Sequence, residues 1–178
     1  VLAGLIVYPF DEAAELLRFH RNFTAEAPDE LCCYAAILTA PPAPFIPEEI
    51  HGKTVFAFGV CYSGSIEEGE RVLQPLRDVG NSIVDLIQPM PFTAVQKLLD
   101  ANYQPGARNY WKTQLMHHLS DQAIDTIVQE ANPLPTSSTQ IVVEHLGGEM
   151  SRVDPAETAF YHRNTAYSFN IYPRWTNP

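Results

Sequence analysis

The stretch HRNTAYSFNIYPRW (residues 162–175) contains an apolar run in which every second residue is polar. Because side chains alternate between the two faces of a strand, Tyr167, Phe169 and Ile171 are predicted to enter a core. The residues predicted to share the opposite surface are Ser168, Asn170 and Tyr172. A row of polar groups on one strand face requires water, a ligand or another domain, so this face is a candidate binding surface.

The composition is typical of a compact globular domain. The chain has 178 residues, of which 46% are hydrophobic and 18% are charged, so it can bury a core. Its net charge of -10 and its scattered Lys and Arg residues exclude a nucleic-acid-binding surface, because such surfaces draw their affinity from clustered cations. No apolar run approaches the ~20 residues that span a bilayer, so no membrane partner is predicted.

The two ends of the sequence resemble cuts in a longer protein. Val1 leads directly into a strand-like segment without an initiator methionine, and the first residues lack the basic-then-apolar pattern of a signal peptide. We therefore expect residues 1–178 to be one domain of a larger polypeptide, truncated at both ends. This expectation leaves localisation undetermined.

The cysteine and histidine residues predict neither a disulfide framework nor a metal site. Cys32, Cys33 and Cys61 are odd in number, and the adjacent pair would point to opposite sheet faces, so all three are interpreted as small buried hydrophobes. The six histidines show no spacing of the HExxH kind, and CxxC is also absent from the sequence.

Strand and helix patterns alternate along the chain. Strand-like runs cover residues 2–8, 32–40, 54–62, 82–88 and 139–146, with 106–116 as a weaker candidate. Helices are predicted to begin at Asp11 and Ser120, and at the capping-box patterns that start at Ser65 and Thr93. Pro75 is expected to kink or shorten the helix that follows Ser65.

This order includes adjacent strand pairs, which favours an α+β fold with a mostly antiparallel sheet of about six or seven strands and helices packed mainly on one face. The runs 32–40 and 54–62 are apolar on both faces, whereas a sheet with one face in water should alternate. The second face must therefore be covered, either by the chain's own helices or by a partner domain, and we favour the partner domain. If that domain is missing, the exposed sheet face is expected to cause self-association.

Seven short motifs in collinear order resemble the substrate-binding domain of flavin-linked oxidases of the berberine bridge enzyme type, within the vanillyl alcohol oxidase and p-cresol methylhydroxylase superfamily. They are GLIVYP (4–9), APDEL (27–31), CYSG (61–64), PLR (75–77), NYWK (109–112), EHLGG (144–148) and HRNTAY (162–167). The resemblance covers nearly the whole chain.

The resemblance implies that the sheet closes over the FAD of a separate domain of the same polypeptide. That domain's Gly-rich phosphate loop, and the His and Cys that commonly tether the flavin, do not match any part of this sequence, so the chain alone is expected to bind no cofactor and to be inactive. The implied reaction is oxidation of a small organic substrate, with hydride transfer to the flavin and dioxygen as acceptor.

The resemblance also places Asn170 where some family members carry a Glu base or a Gln. Because Asn has no useful basicity, Asn170 would orient the substrate by hydrogen bonding, and the base would lie outside the chain, as does a Tyr beyond residue 178 in several relatives. Ser168 and Tyr172 share its strand face, although Tyr172 could equally be a rim residue in water.

Four further residues are candidate substrate contacts, each with a structural alternative. Tyr110 and Lys112 could reach the substrate, or Lys112 could form a surface ion pair. Glu144 and His145 interrupt an apolar strand, where an unpaired charge is costly, so they could instead make a structural ion pair or hydrogen bond.

A second hypothesis needs no flavin. In that case the chain is a stand-alone α+β ligand-binding or dimerisation module, whose doubly apolar sheet pairs with a copy of itself.

Overall fold

The computed structural model describes residues 1–103 and 105–176. The strands, in chain order, are β1 (Leu2–Pro9), β2 (Leu31–Thr39), β3 (Thr54–Tyr62), β4 (Val84–Asp85), β5 (Gln88–Pro89), β6 (Arg108–Asn109), β7 (Lys112–Met116), β8 (Gln140–His145), β9 (Tyr167–Tyr172) and β10 (Arg174–Trp175). The helices are α1 (Ala13–Ala25), α2 (Ile66–Asp78), α3 (Phe92–Val95), α4 (Asp121–Glu130) and α5 (Glu149–Arg152). Short 3-10 helices cover Phe10–Glu12, Glu48–Ile50 and Asp100–Tyr103.

Eight of the strands form one antiparallel sheet. Its order is β4-β1-β3-β2-β8-β9-β7, with β5 also paired to β1, while β6 and β10 form a separate two-stranded sheet. The predicted α+β class with an antiparallel sheet is confirmed. Among the described residues, no helix is long and apolar enough to cross a membrane.

The three longest helices, α1, α2 and α4, pack on one side of the sheet, which we call the helical face. They contribute Leu16, Leu17, Leu73, Leu76, Ile124 and Ile127 to the main core. The strands meet them with large side chains, among them Tyr8, Phe56 and Phe58. Tyr167 is in the same cluster, with Phe169 and Ile171 packed against it, so the predicted core face of β9 is confirmed.

The opposite side of the sheet, which we call the open face, is covered at one end by the Pro-rich loop 40–53. Ala40 and Ile46 of this loop pack against Val7, Val55 and Ala57 of β1 and β3. The chain therefore covers part of its second apolar face with a loop of its own, and neither a partner domain nor a helix is required there.

The run 82–88 forms two short strands instead of one. Both β4 and β5 pair with β1, and the chain between them crosses close to Gly4 of β1, where the Leu86 amide donates to the Leu5 carbonyl at 2.8 Å. A Cβ on Gly4 would lie 2.3 Å from the Leu86 carbonyl oxygen, so only glycine permits this approach. The weaker run 106–116 is also divided, into β6 and β7.

Two of the four predicted helix caps are present. Ser65 Oγ accepts a hydrogen bond from the Glu68 amide, and Ser120 Oγ accepts one from the Ala123 amide, each at 3.2 Å. The caps at Asp11 and Thr93 are wrong, because α1 follows a 3-10 turn and α3 begins after Pro91, neither with a side-chain cap. Pro75 lies within α2, which continues past it to Asp78, so a kink or shortening caused by this proline remains a prediction.

The adjacent cysteines point to opposite sides of β2, as predicted. Cys33 is buried in the main core, where burial raises the pKa of its thiol. Cys32 is exposed and Cys61 is half-buried, so the interpretation of all three as buried hydrophobes is correct for Cys33 alone.

Candidate functional site

Strand β9 lies between β8 and β7, and this arrangement places polar side chains of three strands side by side on the open face. Asn170 pairs in register with Val142 of β8 and with Thr113 of β7. Ser168 pairs with Glu144 of β8. Because paired residues point to the same side of a sheet, the side chains of Thr113, Glu144, Ser168 and Asn170 share one surface, and we call these four residues the polar network.

Asn170 is the centre of the polar network. Its Nδ2 donates to Glu144 Oε2 at 3.1 Å and to Ser168 Oγ at 3.0 Å, while its Oδ1 accepts from Thr113 Oγ1 at 2.7 Å. Asn170 is only 3% exposed. Its carboxamide is therefore satisfied by protein groups on both sides, and a direct contact of Asn170 with the substrate remains a prediction.

Within the polar network, the carboxylate of Glu144 has an oxygen that can accept a further hydrogen bond. Among the described residues, its hydrogen bond is the one from Asn170, at Oε2. The residue is half-buried, and a carboxylate offers about four acceptor positions, so Oε1 is available to a ligand above the sheet. A fixed carboxylate of this kind can accept a hydrogen bond or a proton from a bound molecule.

Tyr34 of β2 extends the site beyond Glu144, with which it pairs in register. Its ring lies across Gly59 of β3, where a Cβ would be 2.1 Å from Tyr34 Cζ. Burial raises the pKa of Tyr34 to about 12, so its phenol stays protonated at neutral pH and can donate a hydrogen bond.

Three aromatic rings, those of Tyr103, Trp111 and Tyr172, form an aromatic wall beside the polar network. The Trp111 ring centroid lies 5.0 Å from that of Tyr172 and 6.0 Å from that of Tyr103. The Tyr103 hydroxyl donates at 3.0 Å to Gln140, which pairs with Tyr172 across β8 and β9. Burial raises the pKa of Tyr172 to about 12, so this phenol also stays protonated.

His145 does not join Glu144 at the site, although the two are adjacent in sequence. It points to the helical face, where its ring centroid lies 5.6 Å from that of Tyr167, and burial lowers its pKa. Gly147 makes room for the imidazole, since a Cβ there would be 2.6 Å from His145 Cε1.

Tyr110 and Lys112 also lie away from the polar network. Lys112 pairs in register with Ile171, a core-facing residue, so it is on the helical side of the edge strand β7. Its Nζ is 5.1 Å from the centre of the Tyr110 ring, and Tyr110 is 58% exposed. Substrate contacts by these two residues and by His145 remain predictions.

The sequence analysis does not identify several residues that the structure places at the site. They are Tyr34, Tyr103, Trp111, Thr113 and Gln140. The signal for Thr113 and Trp111 is the alternation in NYWKT, which places both on the side of β7 opposite Lys112. Tyr34 and Gln140 are identified only by the register of β2, β8 and β9, which local sequence does not reveal.

Among the described residues, the strand positions on the open face can be compared with the groups that metal ions and pyrophosphate require. Within residues 1–103 and 105–176, no cluster of three or more His, Cys, Asp or Glu is placed to hold a metal. The residues that β1, β2, β3, β7, β8 and β9 direct to this face by their register include neither Lys nor Arg. The strand residues that face this side therefore offer no cation for the diphosphate part of FAD, and they include the carboxylate of Glu144 and the phenol of Tyr34.

Sequence comparison finds FAD-linked oxidoreductases among the relatives of this chain. No protein-family model matches it. An FAD-linked oxidoreductase of Dictyostelium discoideum is 28% identical over 171 residues, which are 94% of this chain and 35% of that protein. The FAD-linked oxidoreductase YgaK of Bacillus subtilis (strain 168) is 24% identical over 175 residues, which are 97% of this chain and 36% of that protein. The chain thus spans about a third of the length of the curated relatives that it matches.

Solved structures of several oxidases contain the same fold. For 6-hydroxy-D-nicotine oxidase of Arthrobacter nicotinovorans the TM-score is 0.73 at 18% identity, covering 98% of this chain and 37% of the enzyme. For chitooligosaccharide oxidase the TM-score is 0.73 at 16% identity, and the match covers 99% of this chain and 40% of that protein. For berberine bridge enzyme the TM-score is 0.69 at 16% identity, and the match covers 98% of this chain and 35% of that protein. The resemblance stated from the sequence is confirmed: the homologues are FAD-linked oxidoreductases, and the fold is that of a segment of berberine bridge enzyme and related oxidases.

Proposed function

We propose that the chain is the substrate-binding domain of an FAD-dependent oxidoreductase, which oxidises a small organic substrate by hydride transfer to the flavin, with dioxygen as acceptor. The polar network carries this proposal. It fixes one carboxylate, that of Glu144, on the sheet face that the long helices leave uncovered. The homology to FAD-linked oxidoreductases supports the flavin as the redox partner.

In this proposal, an FAD-binding domain of the same polypeptide packs against the open face. The strand residues there include no cation for the pyrophosphate, so that domain would bind the cofactor while this chain binds the substrate. The flavin, when bound, supplies the hydride acceptor. All the groups of this chain then act on the substrate itself.

Glu144 is the residue proposed to touch the substrate. Its Oε1 would accept the proton of the O–H or N–H group next to the reacting carbon, in place of a base outside the chain. Asn170 is a positioning residue, because it is buried and holds Glu144 in one orientation, and Thr113 supports it by donating a hydrogen bond to Asn170 Oδ1. Tyr34 and Tyr172 would donate hydrogen bonds from the two sides.

The test is the complete polypeptide encoded by the gene, purified and examined by visible spectroscopy and by oxygen consumption with a panel of alcohols, sugars and amines. We expect a flavin spectrum. Glu144→Gln should preserve that spectrum and the fold but lower kcat by about two to four decades, the usual contribution of a general base. Gln114→Ala, on the exposed edge strand and on the helical side, is the matched control and should leave kcat unchanged.

Two results would count against the proposal in different ways. A complete polypeptide that purifies without flavin, and gains none on incubation with FAD, contradicts the oxidoreductase function. A flavoenzyme in which Glu144→Gln retains full kcat contradicts only the assignment of Glu144.

A further inference from the structure

Two of the cysteines, Cys32 and Cys61, lie opposite each other on neighbouring strands. They pair in register between β2 and β3, and paired residues direct their side chains to the same side of a sheet. That side is the open face, because Cys33, the next residue along β2, is buried in the core of the helical face. Both thiols are free. The strand order therefore brings together two thiols that are distant in sequence.

The backbone geometry of this pair fits a disulfide. Glu30 and Ser63 continue the same register two positions farther along, and there the Ser63 amide donates to the Glu30 carbonyl oxygen at 3.0 Å. Because hydrogen-bonded and non-hydrogen-bonded pairs alternate, Cys32 and Cys61 form a hydrogen-bonded pair, in which the Cα atoms are about 5.5 Å apart. Disulfides join Cα atoms that are about 4.4 to 6.8 Å apart, so a bond between the two sulfurs requires no rearrangement of the strands.

The thiols differ in accessibility. Cys32 is exposed, Cys61 is half-buried and Cys33 is buried. Partial desolvation of its sulfur raises the pKa of Cys32, and the proximity of Cys61 and Glu144 adds to this rise. Desolvation also raises the pKa of Cys61. Both thiols are therefore mostly protonated at neutral pH, which suits a slow reaction with an oxidant that accumulates better than the fast reaction of a catalytic nucleophile.

The thiol pair is close to the candidate site. Cys32 precedes Tyr34 by two residues, so the two side chains share the open face, and Tyr34 pairs in register with Glu144. In the proposed function, dioxygen takes two electrons from the reduced flavin above this surface, and the product of that reduction is hydrogen peroxide. The peroxide would then be released beside Cys32.

We propose that Cys32 and Cys61 are a redox-active pair, which hydrogen peroxide converts to a cross-strand disulfide. The thiolate of Cys32 attacks one peroxide oxygen, the O–O bond breaks, and the sulfenic acid of Cys32 forms with the first water. The sulfur of Cys61 then attacks the sulfur of Cys32, the S–S bond forms, and the S–O bond breaks to release the second water. One peroxide thus accepts two electrons from the two sulfurs and both thiol protons. The inference rests on the proposed function only for the source of the peroxide.

The first experiment treats the 178-residue chain with hydrogen peroxide at about pH 8.5, where the thiolate fraction is larger, and then alkylates the unfolded protein for mass spectrometry. We expect the loss of two alkylatable thiols without added oxygen, and their full recovery with dithiothreitol. Two results would overturn the proposal. In one, all three thiols stay alkylatable while glutathione in the same solution is oxidised. In the other, Cys32 accumulates as sulfinic or sulfonic acid while Cys61 stays alkylatable.

Single variants identify the bond. Cys33→Ala is the matched control, because Cys33 is adjacent in sequence but lies on the opposite face, and it should form the disulfide as fast as the parent chain. Cys32→Ser and Cys61→Ser should each form no disulfide within the chain. A disulfide that is absent from Cys33→Ala but present in Cys61→Ser would assign the bond to the adjacent cysteines. Disulfide-linked dimers of the parent chain, in place of the internal bond, would equally contradict the pair.

The complete polypeptide distinguishes failure of this inference from failure of the proposed function. During turnover in air the disulfide should accumulate, and catalase should prevent it; equal accumulation with catalase would show that peroxide is not the oxidant. An active flavoenzyme that forms no disulfide with added peroxide contradicts the thiol pair and leaves the oxidase function standing. A polypeptide that forms the disulfide with added peroxide but contains no flavin contradicts the oxidase function and leaves the thiol pair standing.

Discussion

Glu144 and His145 show how one step along a strand decides what a residue can do. Glu144 faces the open side, where Asn170 holds its carboxylate and one oxygen remains available. His145 faces the helical side, packs near Tyr167 and has a pKa lowered by burial. The sequence shows two polar residues interrupting an apolar strand, and the alternation of side chains directs the carboxylate to the open face and the imidazole to the helical face.

His20 should make the fold sensitive to acid. Its ring is fully buried, with Nε2 3.2 Å from the Cys33 carbonyl oxygen, and burial lowers its pKa from 6.5 to about 4. The unfolded chain therefore binds more protons between these values, so stability is complete above pH 6.5 and falls as the pH drops toward 4. The loss at pH 5 should be about 2 kcal/mol.

Thermal or urea unfolding at several pH values tests this prediction. His20→Gln, which cannot titrate, should show a flatter dependence on pH, and His117→Gln, at an exposed position, should behave like the parent chain. An equally steep acid loss in His20→Gln would assign the sensitivity to other groups.

Gly59 should be required because of Tyr34. The Tyr34 ring occupies the space where a Cβ on Gly59 would lie, 2.1 Å from Cζ. Gly59→Ala should therefore destabilise the fold by about 1 to 3 kcal/mol through overpacking. In the background of Tyr34→Ala the same substitution should cost much less, so denaturant unfolding of the double-mutant cycle should give a clear coupling energy. Equal costs in both backgrounds would show that the backbone at Gly59, and not the ring, is the constraint.

At the scale of elements, the sequence predicts the long strands well and the short ones poorly. β1, β2, β3, β8 and β9 have enough residues for alternation or a continuous apolar run to be recognised. β4 and β5 have only two residues each and exist because the chain between them crosses beside Gly4. Contacts with a neighbouring strand, which leave no local pattern, determine such elements.

The two observed serine caps should each stabilise the fold, and Thr93 should not. Ser65→Ala and Ser120→Ala each leave a helix-terminal amide without its side-chain acceptor, which typically costs about 1 kcal/mol. Thr93→Ala is the control, because Thr93 lies inside α3, a helix that begins without a side-chain cap. Chemical denaturation of the three variants checks the order. A loss in Thr93→Ala as large as in the serine variants would contradict the helix starts described here.

At the scale of the whole molecule, the sequence identifies the candidate strand face, but it does not identify the residues that other strands contribute to that face. The alternation in YSFNIY places Ser168 and Asn170 on one surface, and that surface exists in the structure. The partners of Asn170, however, come from positions 57 and 26 residues away, on β7 and β8. The order of strands in the sheet decides these contacts, and the order depends on the global packing of helices against one face.

The isolated chain should fold but bind no FAD. Its open face carries a carboxylate and phenols, and the strand residues directed to it include no Lys or Arg that could pair with a pyrophosphate. Phosphate groups in proteins are usually held by backbone amides at a glycine-rich helix start or by cationic side chains, and the open face offers neither among the residues assigned to it by register.

Titration with FAD should therefore leave both the fluorescence of the flavin and the melting temperature of the chain unchanged. The complete polypeptide, examined in parallel, should retain flavin through gel filtration. Stoichiometric binding of FAD by the 178-residue chain alone would show that the cofactor site lies within it, and the division between a substrate-binding and a cofactor-binding domain would have to be abandoned.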